Sequence, residues 1–100
     1  MGKYYVYILE SDKGYHYIGQ TNDLIDRLHR HNTGRSTYTK NKGHWEIVIF
    51  VEANTRVEAV QLEMKLKRMK DIGKAINYLR KIKSESVSSD NKNKSNNNDI

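Results

Sequence analysis

The amino-acid sequence predicts an α+β fold in which helices flank a three-stranded antiparallel sheet, in the order β-β-α-β-α-α. Five of the seven tyrosines lie within the first seventeen residues, in two strand-like segments that surround a glycine-containing turn. A later segment, WEIVIFVE, is the most apolar run of the chain and indicates a third strand. Helical patterns of apolar residues separate and follow these segments, which together indicate layers of sheet and helix.

The first two strands, residues 3–10 and 15–21, are expected to form a hairpin through the turn residues 11–14. Alternate side chains of a strand point to opposite faces of the sheet. A three-residue loop places Tyr7 and Tyr17 on one face, whereas a four-residue loop without a bulge separates them. We expect the three-residue loop, and therefore both tyrosines on one face of the sheet.

The first helix is predicted over residues 23–32, with Asn22 or Thr21 as its N-cap. Its apolar stripe is expected to consist of Leu24, Ile25 and Leu28. The third strand is predicted over residues 45–52, and its nearly continuous apolar run suggests burial on both faces. This pattern predicts that the third strand is the central strand of the sheet.

The second helix opens with a capping box, TRVE, and places its apolar residues on two arcs. Those arcs are Val57, Val60 and Met64, and Ala59, Leu62, Leu66 and Met69. Glu63 lies between the arcs, where a carboxylate is unfavourable unless it has a partner. From the residues alone, that partner would be Lys67 or Arg27 in a salt bridge. A third helix is predicted over residues 74–82, with Ala75, Ile76, Leu79 and Ile82 facing inward.

The charge of the chain is unevenly distributed. The 100 residues carry a net charge of +6, but the Ser- and Asn-rich residues 84–100 carry −1 and are expected to form a disordered tail. Residues 1–83 are expected to form a single domain with a charge of +7. This charge favours a polyanion partner such as nucleic acid, although lysine also serves solubility.

The composition excludes several classes of site. The chain has no Cys, so it has no disulfide framework, no Cys-ligated zinc and no thiol nucleophile, and its four histidines lack zinc-ligand spacing. The chain shows no apolar run long enough to cross a membrane and no signal peptide. We therefore expect a cytoplasmic protein with no membrane partner.

An ordered set of motifs resembles the GIY-YIG nuclease family over residues 3–83. The set comprises Tyr5-Val6-Tyr7, Tyr17-Ile18-Gly19, Arg27 four residues before His31-Asn32, and Glu63 in a later helix. The second motif matches the family as written. The first has Tyr5 where the family name has Gly, but it keeps the tyrosine at Tyr7.

The resemblance implies an endonuclease that hydrolyses phosphodiester bonds in DNA with the help of Mg²⁺ or Mn²⁺. It implies that Glu63 binds the metal and that Arg27 clamps the phosphate. Tyr7 would contact the attacking water as a general base or through a hydrogen bond, and Tyr17 would orient that water or assist Tyr7. His31 would shuttle a proton or bind phosphate. Without the motif, Arg27 would be a solvated charge and His31 a residue favoured by the helix dipole.

Four further residues are candidates for contact with nucleic acid. Gly19 would allow the backbone to approach the substrate closely, with a strand bulge as the alternative. The basic loop over residues 35–44 carries Tyr38, Lys40 and Lys42, which would contact the DNA backbone, and Tyr38 could stack on a base. A solvated loop is the alternative.

The first hypothesis is thus a small GIY-YIG-type endonuclease, a monomer or weak dimer, that acts on DNA, with branched or damaged DNA in repair as candidate substrates. The alternative is a non-catalytic DNA-binding module of the same fold. A third hypothesis is a structural or protein-interaction domain whose basic charge serves solubility.

Overall fold

The computed structural model describes residues 3–91. Its elements are strands β1 (Tyr4–Ser11) and β2 (His16–Thr21), helix α1 (Leu24–Asn32), strand β3 (Trp45–Ala53), and helices α2 (Arg56–Met69) and α3 (Ile72–Asn91). The strands form one antiparallel sheet, so the predicted α+β fold class and element order are confirmed.

The central strand of the sheet is β1, because the strand order is β2-β1-β3. The prediction that the third strand is central is therefore wrong. Residues 6–9 of β1 are at most 1% exposed, since structure covers both faces of this strand. In β3, which lies at an edge, Val48 is 37% exposed. A long apolar run thus does not distinguish a central strand from an edge strand that is covered in part.

A β-bulge explains how the apolar residues of β3 are shared between the two faces. Ile8 pairs with Ile49 and Leu9 pairs with Ile47, so Val48 is the extra residue. The extra residue shifts the alternation of side chains along the strand. Ile47 consequently packs with one cluster of buried residues and Ile49 with the other.

Each face of the sheet has its own cluster of buried side chains. On one face, α2 and α3 cover Val6 and Ile8; the residues that these helices bury there are Ala59, Leu66, Ala75 and Leu79. On the other face, Tyr7, Leu9 and Trp45 form the cluster against which α1 packs through Leu24 and Leu28. Ile25 was expected in that apolar stripe, but it is 76% exposed because it lies on the outer side of the helix.

The hairpin has the predicted register. The Ser11 amide donates to the Tyr15 carbonyl at 2.9 Å, which closes a three-residue loop in which Gly14 has a φ of +90°. Tyr7 lies opposite Gly19, and Tyr17 lies two residues away on β2. The rings of Tyr7 and Tyr17 therefore share a face, with centroids 6.1 Å apart.

The helix N-termini are capped by local side chains. The N-cap of α1 is Asp23 rather than Asn22 or Thr21, and its carboxylate accepts from the Asp26 amide at 3.0 Å. The Thr21 hydroxyl instead accepts from the Asp23 amide and turns the chain into the helix. The predicted cap of α2 is confirmed, since Thr55 accepts from the Glu58 amide at 3.1 Å.

Only one of the two predicted arcs of α2 is covered. Ala59 and Leu66 are buried against the sheet, whereas Val57 and Met64 of the other arc are 64% and 47% exposed. One sheet face can cover only one side of a helix, so the second arc remains at the surface.

Helix α3 buries Ala75 and Leu79 as predicted, but it ends later than predicted. It continues to Asn91, so the first part of the segment predicted as a tail is helical. No Gly or Pro interrupts residues 74–91, and each added residue of a started helix gains a hydrogen bond. The predicted domain boundary at residue 83 stays a prediction, and residues 92–100 lie outside the described residues.

Candidate active site

The Tyr7 side chain lies at the centre of the site, on the middle strand, and is only 1% exposed. Its hydroxyl lies 3.1 Å from Nε2 of His31. A Cβ at Gly19 would lie 2.6 Å from the Tyr7 hydroxyl and 2.9 Å from the Tyr17 ring. Gly19 therefore provides the space that both rings need. Its predicted contact with nucleic acid stays a prediction.

His31 is held on both sides. Helix α1 presents it in its last turn, 2% exposed, with Nε2 on the Tyr7 hydroxyl and Nδ1 2.8 Å from the Thr39 hydroxyl. Burial, together with the charge of Arg27, lowers the pKa of His31 to about 4, so the ring is neutral at pH 7. Both ring nitrogens therefore have hydrogen-bond partners within the protein.

The Thr39 hydroxyl suits one tautomer of the His31 ring. The Thr39 hydroxyl donates to the Ser36 carbonyl at 3.4 Å, and it can therefore accept from Nδ1–H of the ring. On this assignment Nε2 is the unprotonated nitrogen and accepts the Tyr7 O–H. Sequence reasoning missed Thr39, because a threonine in a basic loop carries no signal that it will be buried.

Two contacts from β3 and α1 hold the basic loop in place. The Trp45 indole donates to the Thr39 carbonyl at 3.1 Å. The Asn32 side chain makes two hydrogen bonds with the Trp45 backbone, at 3.0 and 2.7 Å. Asn32 thus ties the end of α1 to the start of β3, and the loop between them carries Thr39 to His31.

Arg27 and Glu63 supply opposite charges close to Tyr7. Burial raises the pKa of the Tyr7 hydroxyl above its ordinary value, and Tyr17 and Glu63 raise it further. Arg27 lowers the same pKa through its charge and a hydrogen bond. Burial dominates, so Tyr7 is protonated at neutral pH. Among the side chains that the structure describes, no carboxylate lies within ion-pair distance of Arg27.

The carboxylate of Glu63 already has a cationic neighbour. Its side chain is 19% exposed, and Lys67, one turn later on α2, places Nζ 2.7 Å from Oε2. The salt bridge weighed as an alternative partner for Glu63 is therefore present. The ammonium also shows that this carboxylate can accommodate a cation. Within residues 3–91 there is no cluster of three His, Asp or Glu side chains, so a metal here would keep several waters, as Mg²⁺ commonly does.

An aromatic path leads from the buried pair to the surface. The Tyr17 ring centroid lies 4.6 Å from that of His31 and 5.5 Å from that of Tyr38, which is 57% exposed. The Lys42 ammonium lies 4.8 Å from the Tyr38 ring centroid. Lys40 is exposed on the same loop.

The Tyr7 hydroxyl thus lies beside His31, the Tyr17 ring shares its face of the sheet, and Arg27 and Glu63 are near enough to affect the pKa of Tyr7. Tyr38 of the basic loop contacts the Tyr17 ring. A family model described as the GIY-YIG catalytic domain matches residues 3–77. This chain belongs to the GIY-YIG family.

Relatives of this GIY-YIG chain occur in several bacteria. A UPF0213 protein of Oceanobacillus iheyensis is 35% identical over 67% of this chain and 79% of the relative. A UPF0213 protein of Streptococcus agalactiae is 32% identical over 81% of this chain and 92% of the relative. The solution NMR structure of a UPF0213 protein from Bacillus halodurans is 33% identical, covers 66% of this chain and 71% of that chain, and has a TM-score of 0.42.

The GIY-YIG domain indicates a nuclease-type function with a nucleic-acid substrate. No helix within the described part of this domain has the length and apolar character needed to span a membrane.

Proposed function

We propose that this GIY-YIG chain is an endonuclease that hydrolyses phosphodiester bonds in DNA with Mg²⁺ or Mn²⁺. The observation that carries the proposal is the buried Tyr7–His31 hydrogen bond, with Arg27 and Glu63 close enough to act on the same hydroxyl. A structural core does not require a tyrosine and a neutral histidine to meet beside two opposite charges.

The Tyr7–His31 pair can move a proton without forming a free tyrosinate. Because the pKa of Tyr7 is raised, its hydroxyl cannot act as a base by itself at neutral pH. Nε2 of His31 is a weak base because its pKa is lowered to about 4, so it would take the Tyr7 proton only in concert with proton transfer from the attacking water to the Tyr7 oxygen. On the tautomer assigned above, Nδ1–H donates to Thr39 and Nε2 is available. One proton enters His31, and the attacking oxygen becomes a nucleophile.

Arg27 and Glu63 act on the phosphate. The Arg27 guanidinium, which is in no ion pair with a carboxylate among the described side chains, would form charge-assisted hydrogen bonds with phosphate oxygens as negative charge develops on them. Glu63 would hold the metal, which supplies charge stabilisation at the phosphate and the leaving oxygen when it is bound. Glu63 would offer the metal one hard oxygen ligand, and its carboxylate already accommodates a cation, the Lys67 ammonium.

The proposal extends to the setting of the reaction. The charge of residues 1–83, +7, and the basic loop with Tyr38, Lys40 and Lys42 support DNA as the partner. We extend the proposal to a cytoplasmic monomer or weak dimer that acts on branched or damaged DNA in repair.

The Glu63–Lys67 ion pair favours one alternative, a non-catalytic DNA-binding module of the same fold. In that case Lys67 would neutralise Glu63 permanently, and no metal would be needed.

Nicking of supercoiled plasmid with Mg²⁺ or Mn²⁺ tests the proposal. We expect Tyr7→Phe to lower the nicking rate by about 10²- to 10⁴-fold, since it removes the proton relay. We expect Glu63→Gln to abolish the metal-dependent activity. Circular dichroism and thermal unfolding of both variants report whether they fold.

Wild-type protein that binds DNA but cleaves no plasmid, duplex, branched or single-stranded DNA with either metal would support the binding module. Equal nicking by wild type and Tyr7→Phe would remove Tyr7 from the chemistry.

A further inference from the structure

An open groove of about 460 Å³ adjoins the candidate active site. The rings of Tyr17 and Tyr38, the apolar side chains of Ile18 and Leu66, and the lysines Lys67 and Lys70 line it. We call it the Tyr38 groove. Its volume lies within the range of small-ligand pockets, about 300–1,000 Å³.

Tyr38 is an exposed aromatic ring on a well-anchored piece of backbone. It is 57% exposed, yet the next residue, Thr39, is 1% exposed and is bonded through both its hydroxyl and its carbonyl. The Tyr17 ring and the Lys42 ammonium further restrict the Tyr38 ring. A ring held in this way loses little freedom when a flat group stacks on it.

The charges along the groove suit a nucleotide rather than a neutral ligand. Lys67 and Lys70 both line the groove, but Lys67 pairs with Glu63, so Lys70 is the ammonium group available to a phosphate. Asp71 also lines the groove, but its carboxylate accepts from the Lys74 amide at 3.0 Å and so caps α3. Aromatic rings combined with lysines form the pattern with which proteins bind unpaired nucleic-acid strands: bases stack on the rings, and phosphates pair with the cations.

The groove is continuous with the proton relay. Tyr17 lines the groove and also lies against His31, with ring centroids 4.6 Å apart. Lys67 lines the groove and also pairs with Glu63. A nucleotide in the groove would therefore be a close neighbour of the phosphate that the site acts on.

We propose that the Tyr38 groove binds one unpaired nucleobase of a DNA strand, stacked on Tyr38, with a flanking phosphate on Lys70. This inference rests on the proposed endonuclease function and names its substrate class: DNA with an unpaired nucleotide beside the cleaved bond. A base that is already unpaired enters without the cost of unstacking it from a duplex.

The test compares three DNA probes by fluorescence anisotropy with the full chain, in EDTA so that no cleavage occurs. The probes are a perfect duplex, the same duplex with one bulged 2-aminopurine nucleotide, and the single strand. We expect wild type to bind the bulged and single-stranded probes more tightly than the duplex. Tyr38→Ala should weaken binding of those two by about 5- to 100-fold and leave the duplex nearly unchanged. Tyr38→Phe should retain the affinity.

Tyr15 provides the matched control, because it is 48% exposed and does not line the groove. Tyr15→Ala should bind all three probes like wild type. Stacking should also quench the 2-aminopurine fluorescence with wild type and not with Tyr38→Ala.

Equal weakening of all three probes by Tyr38→Ala would overturn the inference, since Tyr38 would then be only a general backbone contact. If wild type nicks plasmid but does not prefer the bulged and single-stranded probes to the duplex, the inference is wrong and the proposed endonuclease function stands. Failure of wild type to bind or cleave any DNA would instead count against the proposed function.

Discussion

Tyr7 and His31 each have an environment that sets one protonation state. Burial raises the pKa of Tyr7, and burial together with Arg27 lowers the pKa of His31 to about 4. At neutral pH, Tyr7 is therefore an uncharged hydrogen-bond donor next to His31, an uncharged acceptor. The sequence indicates both residues through their motifs, but it contains no sign of Thr39, which orients the ring.

The steric role of Gly19 leads to a prediction at the same scale. Gly19→Ala places a Cβ within 3 Å of both the Tyr7 hydroxyl and the Tyr17 ring. Since Tyr7 is buried, its ring must shift away from His31 or the strand must deform. We expect the free energy of unfolding to fall by about 1–3 kcal/mol and nicking to fall at least tenfold. Urea denaturation and the plasmid assay measure the two effects.

The control is Gly73→Ala, at the start of α3. There the new Cβ meets only the Asp71 carboxylate, at 3.3 Å, and alanine is the better helix former. This variant should keep its activity. If Gly19→Ala keeps both wild-type stability and wild-type nicking, the proposed packing of the two tyrosines is wrong.

At the scale of elements, helix α2 places Glu63 and Lys67 one turn apart, at the spacing that makes them neighbours. The sequence predicts that spacing and leaves open whether a cation or a lysine partners Glu63. The fold adds the position of the helix, which brings Glu63 close enough to act on Tyr7. In strand β3, by contrast, no local spacing indicates the bulge at Val48, because the bulge depends on pairing with β1.

Because Lys67 pairs with Glu63 on helix α2, we predict that Lys67 and a metal ion compete for the Glu63 carboxylate. Lys67→Met removes the ammonium from Glu63, so a cation no longer has to displace it. The pair, in which Lys67 is half-exposed and Glu63 is 19% exposed, contributes about 0.3–1 kcal/mol, and we expect the Kd for Mn²⁺ to fall by about two- to fivefold. Titration calorimetry without DNA measures this change directly.

Lys65→Met provides the control, because it removes the same charge from α2 at a position over the Tyr78 ring. Its Kd should match that of wild type, and Glu63→Gln should show no binding. Equal Kd values for Mn²⁺ in Lys67→Met and Lys65→Met would show that Lys67 does not compete with the metal.

At the scale of the whole molecule, two clusters of buried residues stabilise the sheet from opposite sides, and His31 belongs to the side that carries the site. Its protonation is therefore linked to global unfolding. The folded-state pKa, about 4, lies below the ordinary value of 6.5, so the unfolded chain binds the proton first as pH falls. This contribution to stability is complete above pH 6.5 and is lost as pH falls towards 4.

We expect the free energy of unfolding of wild type to fall by roughly 2–3 kcal/mol more than that of His31→Gln between pH 7 and pH 4. Urea denaturation of both proteins at several pH values measures the difference. The comparison cancels the pH-dependent contribution of the carboxylates, which both proteins share. Parallel curves for the two proteins would show that His31 is not held neutral by the fold.

Local patterns in the sequence determined much of this protein: the element order, the shared face of Tyr7 and Tyr17, the Thr55 cap of α2 and the family motifs. Each depends on residues close together in the chain, where strand alternation, helix spacing and turn chemistry operate. Only the tertiary structure decided that β1 is central, that Val48 forms a bulge, that Thr39 and Gly19 shape the site, and that Tyr38 borders a groove. These features depend on which distant surfaces cover each other, and a linear pattern does not contain that information.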